Sequence, residues 1–436
     1  MALGLAGAFR RGWTGPCFSQ DRPRLAARPG DSGLLGLSSP EGRGVALDGQ
    51  VGKADDAAVN VCHVITRMIL GGAQENTLLT CEGLAARGHR VTLITGPALG
   101  PEGELVGRAR GGGYDVIEMP SLRRALSAWH DSRAYRRLIA LLGDLRPDVM
   151  HSHSSKAGIL ARAAAEKVGG MRIVHTVHGS PFHEYQSPWA HQLYVACEKW
   201  AARRTDAMIA VAEAMTRQYL AAGVGRAAQY TTIYSGMEVA PYLAAPAGAE
   251  AFRRELGLGD GDVLCTQVSR LAELKGHEYI LAIAAEVPPN VHFCFVGDGA
   301  LAGAIQRKVV QLGLAGRVHL TGLLPPERIP QVMHATDVLV HCSLREGLAR
   351  ALPQAMLAGK PVVSFDVDGA GEVVGPDTGR LVAPKDTAAL GEAVGELAGD
   401  AALRHRLGQA GRQRCRQQFD HHRMVERIEA LYGRLL

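Results

Sequence analysis

The sequence predicts an α/β protein of two successive domains, each built around a parallel β-sheet. The chain has 436 residues, which is too many for one ordinary domain core. From Val59 onward, short runs rich in Val and Ile alternate with helical stretches of ten or more residues. Such alternation is typical of right-handed βαβ units. The pattern breaks once, at residues 237–262, and then resumes, which indicates a linker between two domains.

Composition narrows the class of protein. Apolar residues make up 47% of the chain and charged residues 21%, as in a globular protein. A formal net charge of +5 is mild for this length, and we expect no nucleic-acid partner. None of the eight cysteines lies in a Cys-x-x-Cys pair, which argues against a zinc cage or disulfide framework. No apolar run reaches the roughly 18 residues of a membrane helix. We therefore expect a cytoplasmic protein that does not cross a membrane.

Residues 1–57 differ from the rest of the chain. They are rich in Gly, Pro, Arg and Ser and have no sustained hydrophobic period. We expect this segment to be a disordered extension, or the product of a misassigned start codon, and to lie outside the fold.

The first domain is predicted over residues 58–236. Its strands are expected, in order, at "VNVCHVIT", "HRVTLITG", "DVMHSH", "RIVHTVHG", "DAMIAVA" and "YTTIYSG". Helices are expected at "ENTLLTCEGLAARG", near Ser132–Gly143, at "SKAGILARAAAEK", over Pro188–Arg203, and before the last strand. These strands are continuous apolar runs, as in parallel sheets covered on both faces.

The second domain is predicted over residues 263–415. Its strands are expected at "DVLCTQVSR", "VHFCFVGDG", "RVHLTG", "TDVLVHC", "KPVVSFD" and "GRLVA". Helices are expected after Lys275, over Leu301–Leu312 and before Gly359, with a helical end from about Thr387. Ligands of such sheets bind beyond the carboxyl ends of the strands, so the cleft between the domains is the expected site.

Two cations follow the first strand of the second domain. Arg270 ends this strand, and Lys275 lies at the start of the next helix. Cations there repel the positive end of the helix dipole unless an anion joins them, and a diphosphate would meet both. The alternative is that Lys275 is solvated and Arg270 pairs with Glu273.

A second candidate segment is "CSLREGLARALPQAMLAGK". Pro353 fits only near the first turn of a helix, which places the predicted helix N-terminus close to Glu346. Glu346 can accept hydrogen bonds from sugar hydroxyls, and the backbone N–H groups of Gly347 and Leu348 can meet phosphate. Gln354 can bind ribose hydroxyls. The alternatives are a helix cap for Glu346 and an ordinary surface glutamine for Gln354.

Glycines and histidines at strand ends give weaker signals. Gly71–Gly72 and Gly297–Gly299 allow close approach of a ligand to the backbone, or form tight turns. Among the histidines of "MHSHSS" and "VHTVHG", position selects His178, which is last in its strand and followed by glycine. No carboxylate or cysteine is near enough in sequence to complete a metal site with these histidines, and we interpret Asp366–Asp368 as a loop rather than a metal triplet.

From Val59 to its end, the chain resembles retaining glycosyltransferases of family 4, which have the GT-B fold of two Rossmann-like domains facing a cleft. The matching pieces, in order, are "GGAQ", "GHRVTLIT", "HSHSSKAGILAR", "HTVHG", "IYSG", "SRLAELKGHEYI", "FVGDG", "TGLL" and "EGLARALPQAMLAGKPVV". The resemblance implies transfer of a sugar from a nucleotide-sugar donor, UDP-linked or GDP-linked, without a metal or cofactor. It implies a first domain on the acceptor side, a donor domain second, and a C-terminal helix over residues 416–436 that returns to the first domain.

The resemblance also implies roles for single residues. Arg270 and Lys275 would hold the donor diphosphate, Glu346 would contact the transferred sugar, and His178 would lie beside it. Donor contacts are expected from Gly72, Gly297, Gly347, Leu348 and Gln354. The family usually has a glutamate at the position of Gln354, and a glutamine there hydrogen-bonds ribose hydroxyls without charge assistance.

The acceptor and a membrane contact each have more than one interpretation. The family suggests a glycan or lipid-linked acceptor, in the synthesis of surface polysaccharide, lipopolysaccharide or glycolipid. Residues 121–143 carry five arginines that form either a contact with anionic lipid or a solvated basic face: Arg123, Arg124, Arg133, Arg136 and Arg137. Alternative functions are a sugar-nucleotide epimerase of similar architecture and a non-catalytic nucleotide-binding relative.

Overall fold

The computed structural model describes residues 58–99 and 103–436. The extension predicted over residues 1–57 lies outside the described residues. Within the described part, two parallel sheets of seven and six strands confirm the predicted α/β architecture.

The first sheet has seven strands, all paired in parallel. In chain order they are β1 (Asn60–Ile65), β2 (Arg90–Thr95), β3 (Asp115–Glu118), β4 (Val149–His153), β5 (Arg172–Val177), β6 (Ala207–Ala210) and β7 (Tyr230–Thr232). Their order in the sheet is β3-β2-β1-β4-β5-β6-β7. The order reverses between β1 and β4, and such a switch point opens a crevice at the carboxyl ends of the strands.

The helices of this domain follow the predicted alternation. They are α1 (Gly72–Ala86), α2 (Val106–Arg110), α3 (Ala128–Leu145), α4 (Ser155–Val168), α5 (Pro188–Ala202) and α6 (Glu213–Ala221), with a 3-10 turn at Ala227–Gln229. The prediction missed β3 and α2. Both are short, and β3 is an edge strand of four residues whose two ends are exposed acids, so it lacks the apolar run that indicates the other strands.

The second sheet begins after a linker with two short helices, α7 (Ala240–Leu243) and α8 (Ala249–Glu255). Its strands are β8 (Val263–Val268), β9 (Val291–Val296), β10 (Val318–Gly322), β11 (Val338–His341), β12 (Val362–Phe365) and β13 (Gly379–Val382), in the order β10-β9-β8-β11-β12-β13. Again the order reverses, here between β8 and β11, so their carboxyl ends are neighbours.

The second domain and the end of the chain contain eight further helices. They are α9 (His277–Ile283), α10 (Ala302–Gln311), α11 (Ile329–Ala335), α12 (Ala351–Leu357), α13 (Ala370–Val373), α14 (Thr387–Gly399), α15 (Ala401–Gln418) and α16 (His421–Leu435), with a 3-10 turn at Pro326–Arg328. The expectation that a helix begins close to Glu346 is wrong, because α12 begins at Ala351. Pro353 is the third residue of α12, so it still lies in the first turn, where it costs no backbone hydrogen bond.

The last helix, α16, packs on the first domain. Its buried face is Met424, Val425, Ile428, Leu431 and Tyr432, which share a core cluster with residues of β1 and α1. The fit is close, since a β-carbon at Gly83 of α1 would lie 2.6 Å from Val425 Cγ2.

A further apolar cluster joins the two domains. It contains Val177, Ala212 and Met215 from the first domain and Leu348, Leu352 and Met356 from the second. This shared core holds the carboxyl end of β5 against the segment that precedes α12. The crevices of both sheets therefore face one another.

Candidate functional site

The carboxyl ends of β8 and β11 bring Lys275 and Glu346 together. Lys275 Nζ lies 2.5 Å from Glu346 Oε1, and each side chain is 19% exposed. His341, the last residue of β11, places Nε2 3.2 Å from the same oxygen. Lys275 is thus paired rather than solvated. Glu346 Oε1 contacts both the Lys275 ammonium and the His341 ring.

The pKa of Glu346 reflects two opposing effects. Burial raises it, but the charge of Lys275 and the hydrogen bond and charge of His341 outweigh burial and hold the pKa well below the usual glutamate range. Glu346 is therefore a carboxylate at neutral pH. It can accept hydrogen bonds from hydroxyl groups but cannot donate a proton.

Asp368, which was interpreted from the sequence only as part of a loop, supports the loop that carries Glu346. The backbone N–H of Glu346 donates to Asp368 Oδ2 at 2.6 Å, and Gln218 of α6 donates to the other carboxylate oxygen, also at 2.6 Å. Asp368 has a left-handed backbone, with φ of 49°. Burial raises the pKa of Asp368, and the hydrogen bonds that it accepts from Glu346 and Gln218 oppose this rise without cancelling it. One side chain thus links the first domain to the backbone of Glu346.

Gly347 and His178 meet across the cleft. A β-carbon at Gly347 would lie 2.0 Å from the His178 carbonyl oxygen, so only glycine allows this approach. Leu348, the next residue, buries its side chain in the cluster shared by both domains, which leaves only its backbone for a ligand. The predicted donor loop therefore lies directly against the end of β5.

His178 itself points one ring nitrogen into the first domain. Its Nε2 lies 3.0 Å from His153 Nδ1. Burial, together with the nearby charge of Arg350, lowers the pKa of His178 to about 3. The ring is therefore neutral at physiological pH, with one donor nitrogen and one acceptor nitrogen.

Arg350 is a second site residue that was not predicted from the sequence. Its guanidinium lies 2.7 Å from the Glu75 carboxylate of α1 and donates to the backbone oxygen of Gly236 at 3.2 Å. Its Cδ would lie 2.9 Å from a β-carbon at Gly72. The sequence did carry a signal, because Arg350 lies four residues after Glu346 in the segment that carries the family resemblance. The expectation of a helix starting near Glu346 placed Arg350 on that helix instead of in the loop.

Arg270 and Gly297 lie beside this centre in the second sheet. Arg270 is two residues beyond β8, exposed, and has no side-chain hydrogen bond or ion pair with any described residue, so it does not pair with Glu273. Gly297 follows β9 with φ of 138°, and a β-carbon there would lie 2.1 Å from the backbone oxygen of Ser269. The Arg270 guanidinium is thus unengaged and open to an anion.

Gln354 lines a cavity of about 660 Å³ between the domains. Leu323 and Leu324 of the second domain line it too, together with Glu75, Arg350 and apolar residues of α1. The predicted residues therefore form two adjoining groups. Lys275, Glu346, Gly347 and His178 form one group, and Gln354 belongs to the other. Arg350 lines the cavity beside Gln354 and lies next to Gly72.

Two groups of side chains among the described residues are compact enough to hold a metal ion. They are His63, His151 and His153, and the more exposed Asp420, His421 and His422. None of these six residues belongs to the predicted site.

Comparison with known proteins covers both domains. Residues 71–236 match the family model of the glycosyl transferase 4-like domain, and residues 248–414 match that of glycosyl transferases group 1. The chain is 32% identical over 298 residues to the 2-deoxystreptamine glucosyltransferase of Streptomyces kanamyceticus, a match covering 66% of this chain and 77% of that protein.

Two other similarities extend this comparison. The chain is 27% identical over 323 residues to the UDP-Gal:alpha-D-GlcNAc-diphosphoundecaprenol alpha-1,3-galactosyltransferase of Escherichia coli, covering 73% of this chain and 82% of that protein. The crystal structure of Anabaena HepE in complex with UDP and glucose superposes with a TM-score of 0.75 and 21% identity, over 86% of this chain and 99% of that one. This likeness shows the same two-domain fold.

Proposed function

Since this chain belongs to the group 1 glycosyltransferases, with a glycosyl transferase 4-like first domain, we propose that it transfers a sugar from a UDP-linked donor to an acceptor hydroxyl with retained anomeric configuration. The relative at 32% identity establishes the family that the sequence predicts, and with it the enzyme class. UDP is favoured because HepE binds UDP and the E. coli relative is named for UDP-Gal. GDP-linked sugars are the alternative donors.

One observation carries the proposal: Lys275, Glu346 and the Gly347–His178 contact lie together where the two domains meet. Cleavage of a sugar–phosphate bond leaves negative charge on the diphosphate. Arg270, Lys275 and the backbone N–H groups of the loop after Glu346 are the groups that would stabilise that charge.

The sugar would lie between Glu346 and His178. Glu346 is an obligate acceptor for sugar hydroxyls, because Lys275 and His341 keep it ionised. The other nearby carboxylate, Asp368, is already bonded to Gln218 and to the backbone of Glu346. We therefore favour front-side attack by the acceptor hydroxyl, with its proton passing to the leaving phosphate, over a covalent glycosyl-enzyme.

A basic apolar surface on the first domain supports a lipid-linked acceptor. Trp129 of α3 is 64% exposed and Leu126 is 81% exposed. A groove of about 670 Å³ beside them is lined by Arg133, Arg136 and Arg137, and the Arg133 guanidinium lies 5.6 Å from the Trp129 ring centre. An exposed tryptophan among arginines suits the interface of an anionic bilayer. Among the described residues, no helix is long and apolar enough to cross a membrane.

Binding to vesicles tests this surface. The protein should sediment with phosphatidylglycerol vesicles and not with phosphatidylcholine vesicles, and R133E/R137E should abolish sedimentation without changing the melting temperature. Equal binding of both proteins would contradict the membrane contact.

Thermal shift followed by product analysis tests the reaction. We expect UDP-sugars to raise the melting temperature more than GDP- or ADP-sugars. The stabilising donor is then incubated with acceptors that include 2-deoxystreptamine and undecaprenyl-diphosphate-linked sugar, and the anomeric configuration of the product is read by NMR. Epimerised donor in the absence of acceptor would indicate the isomerase alternative, and stabilisation without turnover on any acceptor would indicate a non-catalytic relative.

A further inference from the structure

A line of three histidine rings runs from the core of the first domain to the cleft. His63 Nδ1 lies 2.9 Å from His153 Nε2, and His153 Nδ1 lies 3.0 Å from His178 Nε2. His63 in β1 and His153 in β4 are fully buried. The three residues come from β1, β4 and the end of β5, which are consecutive in the sheet, so the sheet itself sets the spacing.

All three rings are neutral. Burial lowers the pKa of His63 to about 3 and, with Arg350, that of His178 to about 3; burial and the neighbouring histidines lower the pKa of His153 well below its usual range. A neutral imidazole has one N–H and one acceptor nitrogen, so the tautomer of each ring decides that of the next. The line therefore has only two consistent arrangements.

The inner end of the line distinguishes these arrangements. His63 Nε2 is buried and has no hydrogen-bond partner in the described part of the chain. If every hydrogen bond points toward the cleft, this nitrogen is a bare acceptor. If every bond points inward, it is an unpaired buried N–H, and orphaned buried N–H groups are rare in native proteins. The outward arrangement is the favoured one.

We propose that His63 and His153 are positioning residues that hold His178 in the tautomer with its proton on Nδ1, so that His178 donates a hydrogen bond to an oxygen of the donor sugar. This inference rests on the proposed function, which places His178 beside that sugar. His178 Nδ1 has no partner among the described residues, so it is free to donate. A fixed tautomer matters because the wrong one presents a lone pair where a donor is required.

His151 lies beside the line without belonging to it. Its ring centre is 4.3 Å from that of His153, but its own nitrogens bond Tyr432 Oη at 2.6 Å and Thr176 Oγ1 at 2.7 Å. His63, His151 and His153 are also one of the compact metal-candidate groups. The 2.9 Å between His63 and His153 nitrogens is a hydrogen-bond distance; two ligands of a tetrahedral zinc, at about 2.0–2.1 Å each, lie farther apart.

The test measures the tautomer of His178 by NMR in the full chain labelled with 15N-histidine, assigned through His178→Gln. We expect the proton on Nδ1 in the resting protein. His153→Leu removes the donor to His178 and should both shift the tautomer and lower kcat/KM about tenfold or more. His153→Asn keeps an amide N–H near the position of Nδ1 and should retain the tautomer, with kcat/KM recovering most of that loss. Tyr432→Phe, which removes a bond of the neighbouring His151 only, should leave the His178 tautomer unchanged.

Three results would overturn the inference. They are a resting His178 protonated on Nε2, a tautomer unchanged in folded His153→Leu, and a stoichiometric metal ion in the purified protein that His153→Asn releases. The tautomer of His178 is measured in the absence of a nucleotide sugar, so this inference and the proposed function can each fail without the other. An Nδ1 proton in a protein that transfers no sugar would contradict only the proposed function.

Discussion

A β-carbon at Gly347 would lie 2.0 Å from the carbonyl oxygen of His178, so these residues of the two domains are in backbone contact. The contact is tight because Asp368 anchors the backbone of Glu346 and Leu348 is buried in the shared core. The loop that carries the predicted phosphate-binding N–H groups is therefore held at a fixed distance from the end of β5.

Gly347→Ala should separate the two domains at the site. The added methyl group meets backbone atoms, which cannot rotate away, so the loop has to move by about 1 Å. A misplacement of that size costs on the order of 100-fold in kcat/KM. Steady-state transfer kinetics measure the loss. Gly395→Ala is the control, because Gly395 lies in α14 with nothing near its β-carbon position and should leave kcat/KM unchanged.

Arg270→Ala should slow transfer without affecting stability. Arg270 is exposed and unpaired among the described residues, so its loss breaks no protein contact, whereas removal of a cation from the leaving diphosphate should lower kcat/KM by about 100-fold. Arg406→Ala, which removes another exposed arginine, should have the kcat/KM of the unsubstituted protein. Near-normal turnover of Arg270→Ala would contradict the phosphate role.

Glu346→Gln should have a lower free energy of unfolding than the unsubstituted protein at pH 7. The difference between the two proteins should become smaller as the pH falls. A depressed pKa contributes stability above the ordinary value of 4.5, and this contribution is lost as pH falls toward the folded-state pKa. We expect a difference of about 1–3 kcal/mol at pH 7, shrinking below about pH 4.5. Urea unfolding at several pH values measures it.

The control for this prediction is an exposed ion pair. Glu166 is 52% exposed and paired with Arg204. Glu166→Gln should lower the free energy of unfolding by less than about 1 kcal/mol. A constant difference between Glu346→Gln and the unsubstituted protein from pH 7 to pH 3.5 would show that the Glu346 charge is not stabilised by Lys275 and His341.

Gln354→Glu should bind UDP more tightly. A carboxylate strengthens hydrogen bonds to ribose hydroxyls, and a gain of about 1 kcal/mol corresponds to roughly fivefold in Kd. Gln354→Leu, of similar size but without polar atoms, should bind more weakly than the unsubstituted protein. Isothermal titration with UDP gives both values. Equal affinities in all three proteins would mean that residue 354 does not touch the nucleotide.

The candidate site could be predicted in part. Arg270, Lys275 and Glu346 lie in the loops that follow β8 and β11, and parallel strands bring such loops to one edge of a sheet. The contacts of Asp368 and Arg350 could not be predicted in this way. Asp368 acts through the backbone of Glu346 and a glutamine 150 positions earlier, and Arg350 acts through Glu75 of the other domain.

The sequence by itself determined the α/β class, the two domains and the family, because hydrophobic periodicity and strand-end motifs are local properties of the chain. Only the tertiary structure decided that Lys275 is engaged by Glu346, that Gly347 touches His178, and that His63 stands behind His178 in a hydrogen-bonded line. The physical reason is that hydrogen bonds and close contacts depend on distances between atoms from separate strands. Those distances are set by sheet order and domain packing, which a single local pattern does not encode.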